Sequence, residues 1–132
     1  MKFLLDTNFC IYVIKERPEK VFRKFRRLEV GQVAISSITY AELCFGVRKS
    51  RRPAQNESAL QQFTSPLEIV PFSPEAALAY GEIRAELERL GKPIGPLDTL
   101  IAAHAKSLGF TLVTNNVAEF SRVPGLRIQN WA

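Results

Sequence analysis

Five short apolar runs recur along the chain, at residues 2–5, 33–35, 67–72, 110–113 and 126–129, and stretches with helical spacing separate most of them. Each run has the length of a strand rather than a helix and is bounded by residues that favour turns. Consecutive strands joined through helices are parallel, and a parallel sheet needs helices over both faces. The expected fold class is therefore α/β, with a central parallel sheet between two helical layers. No repeat, low-complexity tract or linker divides the 132 residues, so one domain spanning residues 1–132 is the economical reading. The spacing of the runs does not fix the order of the strands.

The helical stretches carry their own start and stop signals. Thr7-Asn8 opens one over residues 7–16, and Pro18 suits the first turn of a second, whose apolar positions are Val21, Phe22, Phe25 and Leu28. Gly31 breaks it. Ser36-Ser37 ends the second apolar run, and residues 39–49 read as helix, as do 53–63 behind Pro53. Ser73-Pro74-Glu75 is an N-cap followed by a first-turn proline, and Ala76, Tyr80, Ile83, Leu87 and Leu90 follow at intervals of four and three. Gly91 is a natural stop with Pro93 beyond it. A Gly/Pro loop over residues 91–96 leads to a helix over 97–106, and a short helix is expected over 116–120.

Composition narrows the class. The chain is 46% hydrophobic and 23% charged, ordinary values for a water-soluble fold. No apolar run approaches the ~20 residues of a membrane span, and Asp6 interrupts Phe3-Leu4-Leu5 before any leader-type core can form. A cytoplasmic protein without membrane contact is expected. Cys10 and Cys44 form no C-x-x-C pair and have no histidine cluster beside them, which argues against zinc and for two reduced, part-buried thiols. Net charge is +5, with basic residues bunched at Arg23, Lys24, Arg26 and Arg27 and again at Arg48, Lys49, Arg51 and Arg52. Each bunch is either a polyanion contact or a solvated helix face.

In open α/β sheets, sites form outside the carboxyl ends of the strands. Asp6 directly follows the first run, Glu42 lies early in the helix after the second, and Asn115, Asn116 and Glu119 follow the fourth. Asp98 joins them if its helix points its N-terminus to that edge. Each acid also has a local reading. Thr39 with Glu42 fits a capping box, Asn116 with Glu119 has the same spacing, Asp6 can cap a helix, and Asp98 can favour a helix dipole. The combination says more. Several carboxylates at one edge repel one another, and a divalent cation removes that repulsion. Oxygen ligands of this kind suit Mg²⁺ and Mn²⁺, which promote phosphodiester hydrolysis. The single histidine, His104, excludes a histidine acid–base pair and reads as packing. Phosphate-cradling glycine motifs and a nucleophile elbow are absent from the sequence.

Four segments then stand in order: Phe-Leu-Leu-Asp-Thr-Asn from residue 3, Ser-Ser-Ile-Thr-Tyr-Ala-Glu-Leu from residue 36, Gly-Pro-Leu-Asp-Thr-Leu-Ile-Ala-Ala-His-Ala from residue 95, and Val-Thr-Asn-Asn-Val-Ala-Glu-Phe from residue 113. Together they resemble the PIN-domain family, and within it the VapC-type toxins of bacterial toxin–antitoxin pairs, over residues 2–131. The resemblance implies a three-layer α/β/α fold and a Mg²⁺- or Mn²⁺-dependent endoribonuclease. It implies Asp6, Glu42 and Asp98 as the central metal-coordinating acids, with Glu119 as the fourth carboxylate. Thr7, Thr114 and Asn115 would orient ligands or the attacking water. Many family members carry aspartate where this chain has Asn116, so the fourth ligand departs from the common pattern and Asn116 falls among the supporting groups. The resemblance further implies a homodimer and a cognate VapB-type antitoxin in a hetero-oligomer. The antitoxin would lay a segment in an apolar groove and block the acids, often with an arginine; Ile11, Tyr12 and Phe22 are candidates for that groove or else ordinary core. The implied substrate is tRNA, the initiator anticodon loop included, and single-stranded loops are where bases can be read.

Two other classes compete. A non-catalytic binding module would keep the basic faces without needing the acids, yet all four are present. A phospho-acceptor signalling domain needs paired acids after the first strand, where only Asp6 stands.

Overall fold

A computed structural model describes residues 2–17, 19–29 and 31–131. In chain order the elements are β1 (Phe3–Leu5), α1 (Thr7–Ile14), α2 (Glu19–Arg26), β2 (Val33–Ser36), α3 (Ser37–Arg48), α4 (Pro53–Thr64), β3 (Glu68–Val70), α5 (Pro74–Arg89), α6 (Pro96–Leu108), β4 (Thr111–Val113), α7 (Val117–Phe120) and β5 (Ile128–Gln129). The five strands form one sheet in the order β3-β2-β1-β4-β5, and every pairing is parallel. The fold is three-layer α/β/α, as expected.

Strand side chains alternate between two cores. Phe3, Leu5, Val33, Ile35 and Val113 face the layer built by α1 to α4, while Leu4, Ala34 and Leu112 face α5, α6 and α7. In β1, β2 and β4 the apolar residues of both faces are buried, which is why these strands read as continuous apolar runs rather than as alternating ones; the edge strands β3 and β5 are only part-buried. With all strands parallel, the residues following β1, β2, β4 and β5 emerge at one edge. Strand order reverses direction between β1 and β4, which makes that position the switch point of the sheet.

Several expected boundaries move. Helix α1 ends at Ile14 rather than residue 16, because Glu16 takes a left-handed φ of 56°. Helix α3 begins at Ser37, two residues before the expected start. Ser36 is its N-cap and accepts from the Ile38 N–H at 3.0 Å. The Thr39–Glu42 capping box is thereby overturned: Thr39 lies inside the helix and is fully buried. The Ser73 cap and the stop at Gly91 (φ 69°) are as expected. Pro18, expected in the first turn of α2, lies outside the described residues.

Candidate active site

The short β1 strand delivers Asp6 to the switch point, and its backbone N–H is held there by the Val113 carbonyl of β4 at 3.0 Å. Asp6 is 4% exposed, and two donors offset the burial of its carboxylate. Oδ1 accepts the Phe9 N–H at 2.7 Å, so Asp6 is the N-cap of α1. Oδ2 accepts the Thr114 hydroxyl at 2.5 Å. The local reading and the site reading of Asp6 therefore coexist on different oxygens. Burial raises its pKa most; the Thr114 and Phe9 bonds pull it back, and Glu42 adds a further rise.

Glu42 extends from α3, where Thr7 at the start of α1 donates to its Oε1 at 2.7 Å. The Thr7 hydroxyl also lies 3.3 Å from that of Thr39. The helix carrying these groups is fixed from below: the Ser36 hydroxyl lies 2.8 Å from His104 Nδ1, and the buried His104 ring meets Phe72 edge-on. His104 is packing, and burial holds its pKa below the usual imidazole value.

Asp98 sits in the first turn of α6, whose N-terminus points to the same edge. Its pKa rises to about 6, chiefly through burial, then through the charges of Glu119 and Asp6, a hydrogen bond with Glu119, and the charge of Glu42. Asp98 is thus within electrostatic reach of the other three predicted acids, and Asp6 of Glu42. Glu119 is tied from both sides: Oε1 accepts the Gly95 N–H at 2.9 Å and Oε2 accepts the Asn116 amide at 2.6 Å. These donors lower its pKa, the Gly95 bond most. A Cβ built on Gly95 would stand 3.8 Å from both Asp98 Oδ2 and Glu119 Oε1, so the loop backbone lies close beside both carboxylates. Sequence reasoning did not single out Gly95 as a site residue. The available signal was a glycine immediately before a helix-opening proline, where the helix has no side-chain cap of its own.

Of the supporting residues, Thr7 and Thr114 each hold an acid, and Asn116 holds Glu119. The Asn115 Oδ1 atom is buried without a hydrogen-bond partner among the described residues. Among those residues, no three acids, cysteines or histidines are drawn into a closed ligand cluster. The donors that do converge are carboxylate and amide oxygens, the set a hard divalent cation prefers. Burial, and then the charge of Asp6, push the pKa of the nearby Cys10 thiol well above its usual value. Cys44 is also free.

Beside the acids, α1, α3 and α4 enclose a groove of about 370 Å³ walled by Ile11, Ile14, Leu43, Val47, Ala59 and Leu60, with Glu42 at its lining. Of the three candidates for such a groove, Ile11 lines it. Tyr12 and Phe22 do not, and both pack against the core.

The PIN-domain family model matches residues 3–126. The chain is 47% identical over 131 residues to a relative from Salmonella typhimurium named tRNA(fMet)-specific endonuclease VapC, covering 99% of this chain and 98% of the relative. It is 47% identical over 131 residues to Ribonuclease VapC2 of Haemophilus influenzae, with the same coverage. Its fold matches the crystal structure of VapBC2 from Rickettsia felis bound to a DNA fragment from the promoter, with a TM-score of 0.94, 45% identity and full coverage of both chains.

Proposed function

The chain belongs to the PIN-domain family, and on that premise we propose that it is the toxin of a toxin–antitoxin pair, a divalent-metal-dependent endoribonuclease that hydrolyses phosphodiester bonds in tRNA. The observation that carries this reading is the convergence of Asp6, Glu42, Asp98 and Glu119 at the switch point, with Asp98 pushed up to about 6. Oxygen donors of this kind, together with the buried Asn115 Oδ1, suit Mg²⁺, for which Mn²⁺ can substitute. The four carboxylates would hold the cation, which when bound supplies Lewis-acid stabilisation of the charge that develops on the cleaved phosphate.

The chain's own groups prepare that chemistry. Thr114 and the Phe9 N–H leave Asp6 one fixed orientation. Thr7 aims Glu42. Gly95 and Asn116 favour the ionised form of Glu119 beside Asp98, so that of this pair Asp98 is the one that takes up a proton as pH falls through about 6 when no cation is present. The Asn115 amide is available to orient a water or a substrate oxygen. Residues 1–132 act as one PIN domain in the cytoplasm; among the described residues no helix is long and apolar enough to cross a membrane.

The relatives' names extend the reading to substrate and partner. The Salmonella relative is named for tRNA(fMet), so the initiator tRNA is the first substrate to try. VapBC, the name the Rickettsia felis structure carries, is the name of a family of toxin–antitoxin systems, and the apolar groove beside Glu42 suits an antitoxin segment that ends over the acids. A homodimer within a toxin–antitoxin hetero-oligomer completes the proposal.

The test is cleavage of purified total tRNA by the isolated protein with Mg²⁺, with Mn²⁺, with chelator, and with Asp6→Asn. Discrete fragments that require both metal and Asp6 are expected, and their ends identify the target. Cleavage that persists in chelator or in the variant would remove the assignment of these acids.

A further inference from the structure

The two bunches of basic residues meet different fates in the fold. In the second, Arg48 faces Glu57 at 3.7 Å, Lys49 lies over the exposed Phe45 ring at 5.1 Å, and Arg52 reaches Gln55 at 3.5 Å. In the first, Arg26 turns to the Phe22 ring at 5.7 Å. Lys20, Arg23, Lys24 and Arg27 do otherwise. Lys20, Arg23 and Lys24 stand at i, i+3 and i+4 on one face of α2, and Arg27 follows in the turn that closes it, its N–H bonded to the Lys24 carbonyl at 3.2 Å. With Leu28, Asn130 and Trp131 they line a groove of about 770 Å³. Among the described residues no carboxylate lines it. Arg23 also meets Glu19 at 3.5 Å, an exposed pair that neutralises little.

The floor of the groove is rigid. Trp131 is buried and wedged edge-on against Phe3 and Phe9, at 5.0 and 5.5 Å, and its Nε1 donates to Gln129 Oε1 at 2.9 Å. Lys24 Nζ stands 5.2 Å from the centre of that ring. Arg23 and Lys24 suit the C-terminal end of the α2 dipole, yet like charges at these helical spacings repel one another, so gathering four of them along one groove is not what helix stability selects. Position supplies a reason. Trp131 follows β5 at the carboxyl edge of the sheet. The Gln129 carbonyl accepts the Thr114 N–H at 3.0 Å, and the Thr114 hydroxyl holds Asp6. The groove and the acids therefore belong to neighbouring strand ends of one edge.

We propose that this groove binds the phosphate backbone of RNA, with Lys20, Arg23, Lys24 and Arg27 engaging phosphates of the molecule whose scissile bond lies at the acids. The inference rests on the reading of RNA as substrate. Arg26 and Arg48, equal in charge and close in sequence or bunching, take no part.

The experiment measures binding of purified bulk tRNA by the full chain in chelator, across a salt series. Lys24→Gln/Arg27→Gln and, separately, Lys20→Gln/Arg23→Gln are compared with Arg26→Gln/Arg48→Gln, which removes the same charge. Each groove pair should lower the slope of log affinity against log salt by about 1.4 to 1.8, from ~0.7 to ~0.9 per lost phosphate contact. The control pair should lower it by less than about 0.5. Equal slope changes in all three variants would overturn the proposal, as would salt-independent binding by the unaltered chain. Agreement between the two groove pairs guards against one of them failing to fold. Cleavage with Mg²⁺ is scored in parallel. Slope loss without any cleavage would support the groove and remove the nuclease reading; cleavage without a slope difference would do the reverse.

Discussion

The two halves of the acid cluster solve the same electrostatic problem differently. On the α1/α3 side, Asp6 and Glu42 are each held by a threonine hydroxyl from a neighbouring element, at 2.5 and 2.7 Å. On the α6/α7 side, Asp98 and Glu119 lean on each other, and the donors on that side, Gly95 and Asn116, both serve Glu119. The load of burial and like charge therefore falls on Asp98, whose pKa rises to about 6, while Glu119 falls. Pairs of carboxylates driven apart in this way take different protonation states. The first half is prepared by hydrogen bonds; the second depends on a proton or a cation to be neutral.

The largest test of this contrast is Asp6→Asn. Asn caps helices as well as Asp does, so the fold should survive, while tRNA cleavage with Mg²⁺ should fall by ~100-fold or more, about 2.7 kcal/mol. A matching loss of helix content by circular dichroism would mean that the cap, not the site, had been removed. Next comes Thr114→Val. It strips a buried carboxylate of a charge-assisted bond worth roughly 1.5–3 kcal/mol, so cleavage should fall by about 10-fold or more, with Thr114→Ser restoring it. If Thr114→Ser is as impaired as Thr114→Val, packing rather than the hydroxyl is responsible.

The other half predicts a pH signature in the metal-free protein. A carboxyl whose folded pKa lies above its unfolded value stabilises the fold at low pH, and that contribution is lost as pH rises through about 6. In chelator, thermal stability should therefore decline from about pH 4 to pH 7. The effect is no more than ~1–2 kcal/mol once solvent screening at this half-buried position is allowed for. His104, held below its usual value, acts in the opposite sense, losing stability as pH falls below its unfolded pKa. The difference between the unaltered chain and Asp98→Asn isolates Asp98, and identical pH profiles for the two would refute the asymmetry. The smallest effect is expected from Thr7→Val, because Glu42 is only part-buried: a fall of roughly 3-fold in cleavage, less than for Thr114→Val. A larger loss for Thr7 than for Thr114 would reverse the ranking of the two hydroxyls.

Much of this was legible along the chain because it depends on near neighbours. The Ser73 cap, the stop at Gly91 and the three central apolar runs are set by local hydrogen bonds, backbone freedom and burial on both faces, while the two edge runs are only part-buried. Where two local solutions compete, local reasoning fails. Thr39 and Glu42 have capping-box spacing, yet Ser36 captures the helix end and leaves Glu42 free to meet Thr7, 35 residues away. The role of Gly95 was invisible for a related reason: its N–H is satisfied by a carboxylate 24 residues later, which no spacing rule connects.

By itself, then, the sequence determined the alternation of strand and helix, the parallel sheet that alternation requires, and the placing of acids just beyond strand ends. Tertiary structure decided the order β3-β2-β1-β4-β5, and with it the site. Only because β4 lies beside β1 does Thr114 reach Asp6 across 108 residues. Only because α6 aims its N-terminus at that edge does Asp98 meet the other three acids. Periodicity and caps are governed by interactions within a few residues. The choice of strand neighbour is governed by which of several nearly equivalent packings buries both faces of the sheet at once, and no local segment records it.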